Sequence, residues 1–438
     1  MLQIITNPTI VSVVVMVVLC LLNVNVFLAI ILAAILCGVL GGAGVVGTIE
    51  LFYKNMGNDN RMVLFLLLLG VLAVTMQYNK VGDVLAPRVA RLIGKKLWLF
   101  PVVLTVLAII SETLVLVGVS FLLVLIPPLF KLLADYKIDR RLLVITTCCG
   151  LQIGYGCFPV GYGLGFMGIM QNALAENGLN VEISQIWHAN IVLALAMIVA
   201  IVAAFFYYRK PGKYAITEEV AEASEKASAE LPPIQFKHIA CLLSGIAVVV
   251  IQVTTKSMPL AGLVMVLMLV VTGAIRLKDF PKVFKDGMSS SAFVCFVLMA
   301  AVAFAAVSKE YGQLSTLISA SAQIVGGSKF FGALFMLLLG LLITMGIGSS
   351  FSTVPIVATV LVPLGLQLGM SPASIIMLVS AAGALGDSGA PSSNQTLIST
   401  QAFNMDGLHD HIKGSCIPSF IFVNGAILIV CSIAAMFM

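Results

Sequence analysis

Long apolar runs recur from one end of the chain to the other, and they constrain its fold more than any other feature. Each run is about 20 residues long, which is the length an α-helix needs to cross the hydrocarbon core of a bilayer. Charged residues make up 10% of the 438 residues, whereas about 25% is typical of a soluble domain. The sequence therefore predicts an all-α, polytopic membrane protein with spanning segments near 4–22, 25–47, 62–77, 142–170, 188–208, 239–255, 259–275, 289–307, 373–400 and 415–437.

One polar segment divides the chain in half, and the two halves resemble each other. Residues 209–237 hold five acidic and five basic residues. On either side, "LVITTCCGLQIGYGCFP" (143–159) resembles "IMLVSAAGALGDSGAPS" (376–392). A weak internal repeat of this kind is typical of secondary transporters. We predict a first repeat over 1–208, a cytoplasmic linker over 209–237 and a second repeat over 238–438.

Two further apolar stretches, 97–130 and 330–370, are interrupted by polar residues, and we interpret each as a re-entrant hairpin. Each repeat then has about five spanning helices, an odd number, so the two repeats are inverted. Cytoplasmic loops carry an excess of Lys and Arg, and this places both termini outside and the linker in the cytoplasm. The net charge of +5 thus reflects topology rather than a nucleic-acid partner. The basic residues left outside are five of the 24 present, namely Lys54, Arg61, Lys256, Lys309 and Lys329.

Two of the 19 acidic residues, Glu112 and Asp387, lie deep in apolar sequence. A carboxylate near the bilayer centre costs at least ~2.5 kcal/mol, so it is kept where it has a partner or a function. No Lys or Arg lies at either depth in the sequence. We predict that Asp387 and Glu112 bind a cation or a proton. A structural, hydrogen-bonding acid is the alternative for each.

Glycine and proline residues interrupt the apolar helices close to these acids. Proline lacks an N–H and clashes with the preceding turn, and unwound backbone at membrane depth is tolerated where it lines protein or a wet cavity. The predicted helix-breaking residues are Gly154, Gly156, Pro159, Gly386, Gly389 and Pro391. The polar residues predicted to line the substrate site are Ser111, Thr113, Ser349, Ser350, Ser352, Thr353, Ser388, Ser392, Ser393, Asn394, Gln395 and Thr396.

The second half resembles the bacterial Na⁺/H⁺ antiporter family of the NhaC type, within the ion transporter superfamily. The resemblance is carried by "TMGIGSSFSTVPIVATVLVP" (344–363) and "GALGDSGAPSSNQTLIST" (383–400). It implies ion-coupled secondary transport across the bacterial inner membrane, with Asp387 and the hairpin hydroxyls in the site. It also implies a homodimer with an elevator-like motion.

Two transport functions stay open at this point. One is Na⁺/H⁺ exchange, and the other is a Na⁺- or H⁺-coupled permease for an amino acid such as histidine that uses the same ion site. An enzyme is disfavoured, since the sequence has no HExxH motif and no second midplane Asp for an aspartyl protease. The nine cysteines form no CxxC pair and no Cys/His ligand set, so we predict no metal site and no cofactor besides the coupling ion.

Overall fold

The computed structural model is helical, without strands, over the residues that it describes: 6–22, 24–57, 60–81, 84, 88, 99–116, 118–210, 212–215 and 232–438. The helices of the amino-terminal half are α1 Pro8–Leu21, α2 Val26–Leu40, α3 Gly44–Asn55, α4 Asn60–Tyr78, α5 Leu99–Ile110, α6 Phe121–Asp135, α7 Arg140–Cys157, α8 Tyr162–Glu176, α9 Ile183–Ala189 and α10 Ile191–Tyr207. Those of the carboxy-terminal half are α11 Phe236–Thr255, α12 Met258–Val271, α13 Phe280–Tyr311, α14 Leu314–Val325, α15 Lys329–Ile347, α16 Ser350–Gln367, α17 Pro372–Ala384, α18 Asn394–Phe403 and α19 His411–Ala434.

These helices have the length and composition of membrane spans. Among the described residues, seven helices are long and apolar enough to cross a bilayer, or up to nine if each of two bent pairs is one span. Their outer faces carry large apolar side chains such as Leu195 and Ile429, which are 53% and 63% exposed. Such a surface suits lipid tails, which are as apolar as the side chains themselves. The prediction of an all-α polytopic membrane protein is confirmed.

Two helices are broken, near the prolines that predicted the breaks. The chain bends by 58° between α7 and α8, in a connection that contains Pro159. Between α17 and α18, residues 385–393 are unwound, and this segment contains Gly386, Gly389 and Pro391. We name residues 385–393 the unwound segment.

The prediction that Gly154 and Gly156 break the first of these helices is wrong. Both lie within α7, which continues to Cys157. Gly154 instead allows α5 to approach α7 closely, because a Cβ at this position would lie 2.7 Å from the Cβ of Glu112. Its role is therefore to admit a neighbouring helix rather than to interrupt its own.

The two interrupted apolar stretches form helix pairs. α15 and α16 pack against each other and are separated by Gly348 and Ser349. α5 continues into a π-helical turn, Ser111–Val115, and a short 3₁₀ turn, Gly118–Ser120, precedes α6. One packing arrangement occurs twice. Helix α2 of the first half packs on α13 of the second half, and α12 of the second half packs on α4 of the first half. The re-entrant path, the inverted order and the division into two repeats and a linker stay predictions.

The two halves are in close contact where α4 crosses α13. A Cβ on Gly70 would overlap the backbone oxygen of Gly287, and a Cβ on Gly287 would overlap the Cα of Val71. Glycine at both positions therefore lets the two backbones touch, as small residues do at helix crossings in membranes.

We expect Gly70→Ala to reduce the stability of the purified protein by about 1–3 kcal/mol, because the methyl group forces these helices apart. Thermal unfolding in detergent measures the effect. Gly425→Ala is the matched control, because this glycine also lies in a spanning helix and a Cβ there would meet nothing within 4 Å. Equal losses in the two variants would contradict the close approach at Gly70.

Candidate ion and substrate site

One cavity joins the two deep carboxylates. It has a volume of about 370 Å³, and Glu112 and Asp387 both line it. Their side chains are 9% and 8% exposed. Gly348 and Ser349, which connect α15 to α16, also line it. Among the described residues no Lys or Arg does so. We name this space the carboxylate cavity.

Asp387 lies in the unwound segment and accepts three hydrogen bonds from side chains. The hydroxyl of Ser350 donates to Oδ2 at 2.7 Å and that of Ser393 donates to Oδ1 at 2.8 Å. The amide of Gln395 donates to Oδ2 at 3.1 Å. All three donors are neutral, so they orient the carboxylate and stabilise its negative charge without cancelling it. The charge stays available to a cation.

A second layer of polar groups from α7 supports this arrangement. The Tyr155 hydroxyl lies 2.7 Å from that of Ser350. The Gln152 amide donates to the Ser388 hydroxyl at 2.5 Å and to the carbonyl of Ala384 at 3.0 Å. Sequence reasoning missed both residues. The available signal was their spacing of three positions, which puts two polar side chains on one face of an apolar helix.

We expect Tyr155→Phe to weaken the apparent affinity for the transported cation by about 3- to 10-fold, because one hydrogen bond that orients Ser350 is lost. Little change is expected in the maximal rate, since Asp387 keeps its own three donors. Transport in proteoliposomes at varied Na⁺ measures both quantities. Tyr53 on α3 is 79% exposed and lies outside the site, so Tyr53→Phe is the control. Unchanged affinity in Tyr155→Phe would exclude a positioning role.

Glu112 also lines the cavity and lies in the π-helical turn after α5. No described residue donates a hydrogen bond to its carboxylate. Its neighbours Ser111 and Thr113 donate their hydroxyls to the carbonyls of Gly118 at 2.5 Å and Ile109 at 2.8 Å. They hold the turn in shape and leave the Glu112 carboxylate to the cavity. Isolated π-helical turns of this kind are frequent at functional sites.

The other predicted polar residues divide by position. Ser349, Asn394 and Gln395 line the carboxylate cavity, whereas Ser352 and Ser392 do not. The Ser388 hydroxyl donates to Gln395 at 3.3 Å. The hydroxyls of Thr353 and Thr396 donate to backbone carbonyls and act on local structure. Sequence reasoning missed other polar lining residues, namely Gln77, Ser120, Tyr162, Ser290 and Ser291.

Models of known protein families match two stretches of the chain. A model described as the Na⁺/H⁺ antiporter family matches residues 146–436, and a second, described as the Na⁺-H⁺ antiporter family, matches residues 7–93. The chain belongs to the Na⁺/H⁺ antiporter family. The resemblance read from residues 344–363 and 383–400 is thereby confirmed at the level of the family, and the NhaC type stays a prediction.

The chain is also similar to relatives of the same length and to solved structures. An uncharacterised membrane protein of Haemophilus influenzae is 35% identical, covering 99% of this chain and 100% of that protein. Putative amino acid transporter YuiF of Bacillus subtilis is 34% identical, covering 98% and 99%. One similar solved structure is that of MtrF from Neisseria gonorrhoeae, described as representing a class of antimetabolite efflux pumps. It has a TM-score of 0.61 at 13% identity and covers 94% of each chain.

The YdaH transporter of Alcanivorax borkumensis, reported to have an unusual topology, has a TM-score of 0.60 at 13% identity, covering 98% of this chain and 97% of that one. At such identities these two likenesses concern the fold alone, and that fold is one used by membrane transporters. Membership of the Na⁺/H⁺ antiporter family makes the chain an ion-coupled membrane transporter.

Proposed function

We propose that the protein exchanges Na⁺ for H⁺ at the carboxylate cavity. The observation that carries the proposal is that Glu112 and Asp387 line one cavity to which the described residues bring no Lys or Arg. A carboxylate holds either a proton or a metal cation, and binding of one displaces the other. Intramembrane acids of this kind mark ion and proton pathways. Competition for these two groups then couples the two fluxes.

The surroundings of Asp387 suit a small hard cation, which prefers oxygen ligands. Hydroxyl oxygens of Ser350 and Ser393 lie 2.7 and 2.8 Å from its carboxylate oxygens. The unwound segment adds backbone carbonyls that no longer serve a helix, as in other transporters with broken helices. Asp387 is therefore the ion ligand in this proposal, and Glu112 is the second carboxylate across the cavity.

The proposed setting is the bacterial inner membrane, with both termini outside and the linker in the cytoplasm. The concentration of Lys and Arg in the loops on the linker side supports this orientation. The family resemblance supports a homodimer in which the site-bearing elements move in an elevator-like manner. In this scheme the lipid bilayer and a small ion or small polar solute are the protein's other partners.

A second function, amino-acid transport driven by the same ion site, is favoured by the size of the cavity. A volume of about 370 Å³ exceeds what a bare cation needs and lies within the range of small-molecule sites, about 300–1,000 Å³. The Bacillus subtilis relative is named as a putative amino acid transporter. In this alternative the coupling ion binds at Asp387 and the amino acid, for example histidine, occupies the remaining space.

Purified protein in proteoliposomes distinguishes the two functions. An imposed Na⁺ gradient is applied with a pH-sensitive dye inside the vesicles, first without any amino acid and then with a labelled one outside. Proton movement that follows the Na⁺ gradient in the absence of amino acid is the expected result. Uptake of the labelled amino acid without proton movement would replace exchange by the permease function.

A further inference from the structure

A second, larger cavity lies near the start of α4 and shares no described lining residue with the carboxylate cavity. Its volume is about 910 Å³, and Arg61 and Met62 at the start of α4 line it. Leu66, one turn further along the same helix, lines the carboxylate cavity instead, so the two cavities are neighbours along α4. We name the second cavity the vestibule.

The break between α7 and α8 separates the two cavities. Pro159 and Val160, within the break, line the vestibule. Tyr155 before the break and Tyr162 after it line the carboxylate cavity. The vestibule therefore reaches the far side of the same broken helix that serves the carboxylate cavity. A solute held there would be adjacent to that site but would contact different residues.

The charges of the vestibule differ from those of the carboxylate cavity. Arg61 and Lys256 bring two cationic side chains, and Glu182 brings one carboxylate. Clefts lined by charge concentrate solutes of complementary charge. The two positive charges would repel a bare cation. A solute with a carboxylate and an ammonium group can instead pair its carboxylate with a cationic side chain and its ammonium group with Glu182. Trp187 adds a flat apolar surface to the same wall.

One buried polar group in the vestibule lacks a partner. The Gln252 side chain is 8% exposed, and among the described residues none donates a hydrogen bond to its Oε1 atom. Buried polar atoms are satisfied in the great majority of cases, so an exception needs an explanation. An ammonium group entering the vestibule would supply the missing donor.

We propose that the vestibule binds a small zwitterion, an α-amino acid, separately from the carboxylate cavity. Arg61 and Lys256 receive its carboxylate, Gln252 and Glu182 receive its ammonium group, and its side chain lies toward Trp187. The proposal goes beyond Na⁺/H⁺ exchange, because binding here makes no use of Asp387. The vestibule would hold the same solute whether or not the solute is then transported.

The fluorescence of Trp187 reports on this site directly. The chain has two tryptophans, so Trp98→Phe leaves Trp187 as the single tryptophan of the full-length protein in detergent, and it is excited selectively over tyrosine. The protein is titrated with a panel of the common L-amino acids, with leucine methyl ester, which lacks the carboxylate, and with 4-methylpentanoate, which lacks the ammonium group. A saturable change with at least one amino acid is expected. No response to any member of the panel would overturn the proposal.

Removal of one charged group identifies the contacts. Relative to leucine, each analogue is expected to bind at least about tenfold more weakly, because a hydrogen-bonded charge is lost. Equal binding of 4-methylpentanoate would overturn the assignment of an ammonium site. If leucine itself gives no response, the ester and the deaminated form of the amino acid that responds best are used.

Variants place the binding within the vestibule. Gln252→Leu keeps the size of the side chain, and Lys256→Asn changes an exposed residue whose φ of 53° suits asparagine. Each is expected to weaken amino-acid binding at least tenfold, while Asp387→Asn leaves it unchanged. The Lys256 variant keeps the test decisive if Gln252→Leu does not fold. Binding that survives both vestibule variants but is lost in Asp387→Asn would place the amino acid in the carboxylate cavity and overturn the proposal.

Discussion

Asp387→Asn is expected to reduce Na⁺-driven proton movement in proteoliposomes to the level of empty vesicles. Asparagine has nearly the same size. Its carbonyl oxygen can keep the hydrogen bond from Ser350, which reaches Oδ2 of Asp387, while its NH2 group can donate to the hydroxyl oxygen of Ser393, which faces Oδ1. What it loses is the charge that attracts a cation and the proton that the carboxylate would exchange for it. The loss of function should therefore come without a loss of fold, which thermal unfolding in detergent checks.

A matched control uses a carboxylate outside the cavity. Asp286 lies at an exposed position on α13, so Asp286→Asn removes the same charge without touching the site and should exchange ions at the normal rate. Wild-type exchange in Asp387→Asn would remove this residue from the mechanism. Loss of activity in both variants would point to the net charge of the protein rather than to the cavity.

The elements of the site were predictable where local chemistry decides local structure. Proline cannot continue a helix without losing a hydrogen bond, so the breaks near Pro159 and Pro391 follow from the sequence. A carboxylate in an apolar run is costly, so Glu112 and Asp387 stand out from the amino-acid sequence alone. Their meeting in one cavity agrees with a prediction based on two hairpins and two broken helices.

Other parts of the site depend on how distant segments meet, and the sequence does not reveal this. Tyr155 is one of many buried residues on α7, and its role depends on the position of Ser350, 195 residues later. Glycine is a residue type that disfavours helices, yet Gly154 lies within α7, where its lack of a side chain leaves room for Glu112. The vestibule is formed by the break between α7 and α8, by α8 itself and by parts of α4, α9 and α11, and no local pattern marks all of these elements.

A buried ion pair at one end of the broken helices provides the second large expected effect. Arg140 begins α7 and Asp406 follows α18, and their side chains are 5% and 0% exposed. The guanidinium donates to both carboxylate oxygens of Asp406 and to the backbone carbonyls of Phe403 at 3.0 Å and Lys213 at 3.1 Å. The Tyr214 ring centre lies 4.0 Å from the guanidinium carbon. Both broken helices and the described linker residues 212–215 are thus fastened together.

Because of this pair, the stability of the folded protein should depend on pH. Burial alone would raise the pKa of Asp406, but hydrogen bonds from Arg140 and from the backbone of Ala215 and Leu408, with the charge of Arg140, hold this pKa below its ordinary value. A carboxyl with a lowered pKa stabilises the folded state fully above its unfolded pKa, about 3.9. That contribution is lost as the pH falls through the lower, folded pKa. The stability difference between the wild type and Asp406→Asn should therefore shrink below about pH 4.

At neutral pH, Asp406→Asn should lower the free energy of unfolding by about 3–5 kcal/mol, because the charge of Arg140 is left buried without its partner. A surface pair is the control: Arg276 bonds Asp279, and their side chains are 62% and 27% exposed, so Arg276→Gln should leave the stability nearly unchanged. The double variant Arg140→Met, Asp406→Leu should recover much of the loss, because neither charge then remains buried. Denaturant titration of all four proteins in one detergent measures these differences. Equal costs for the Asp406 and Arg276 variants would show that the buried pair does not hold the broken helices together.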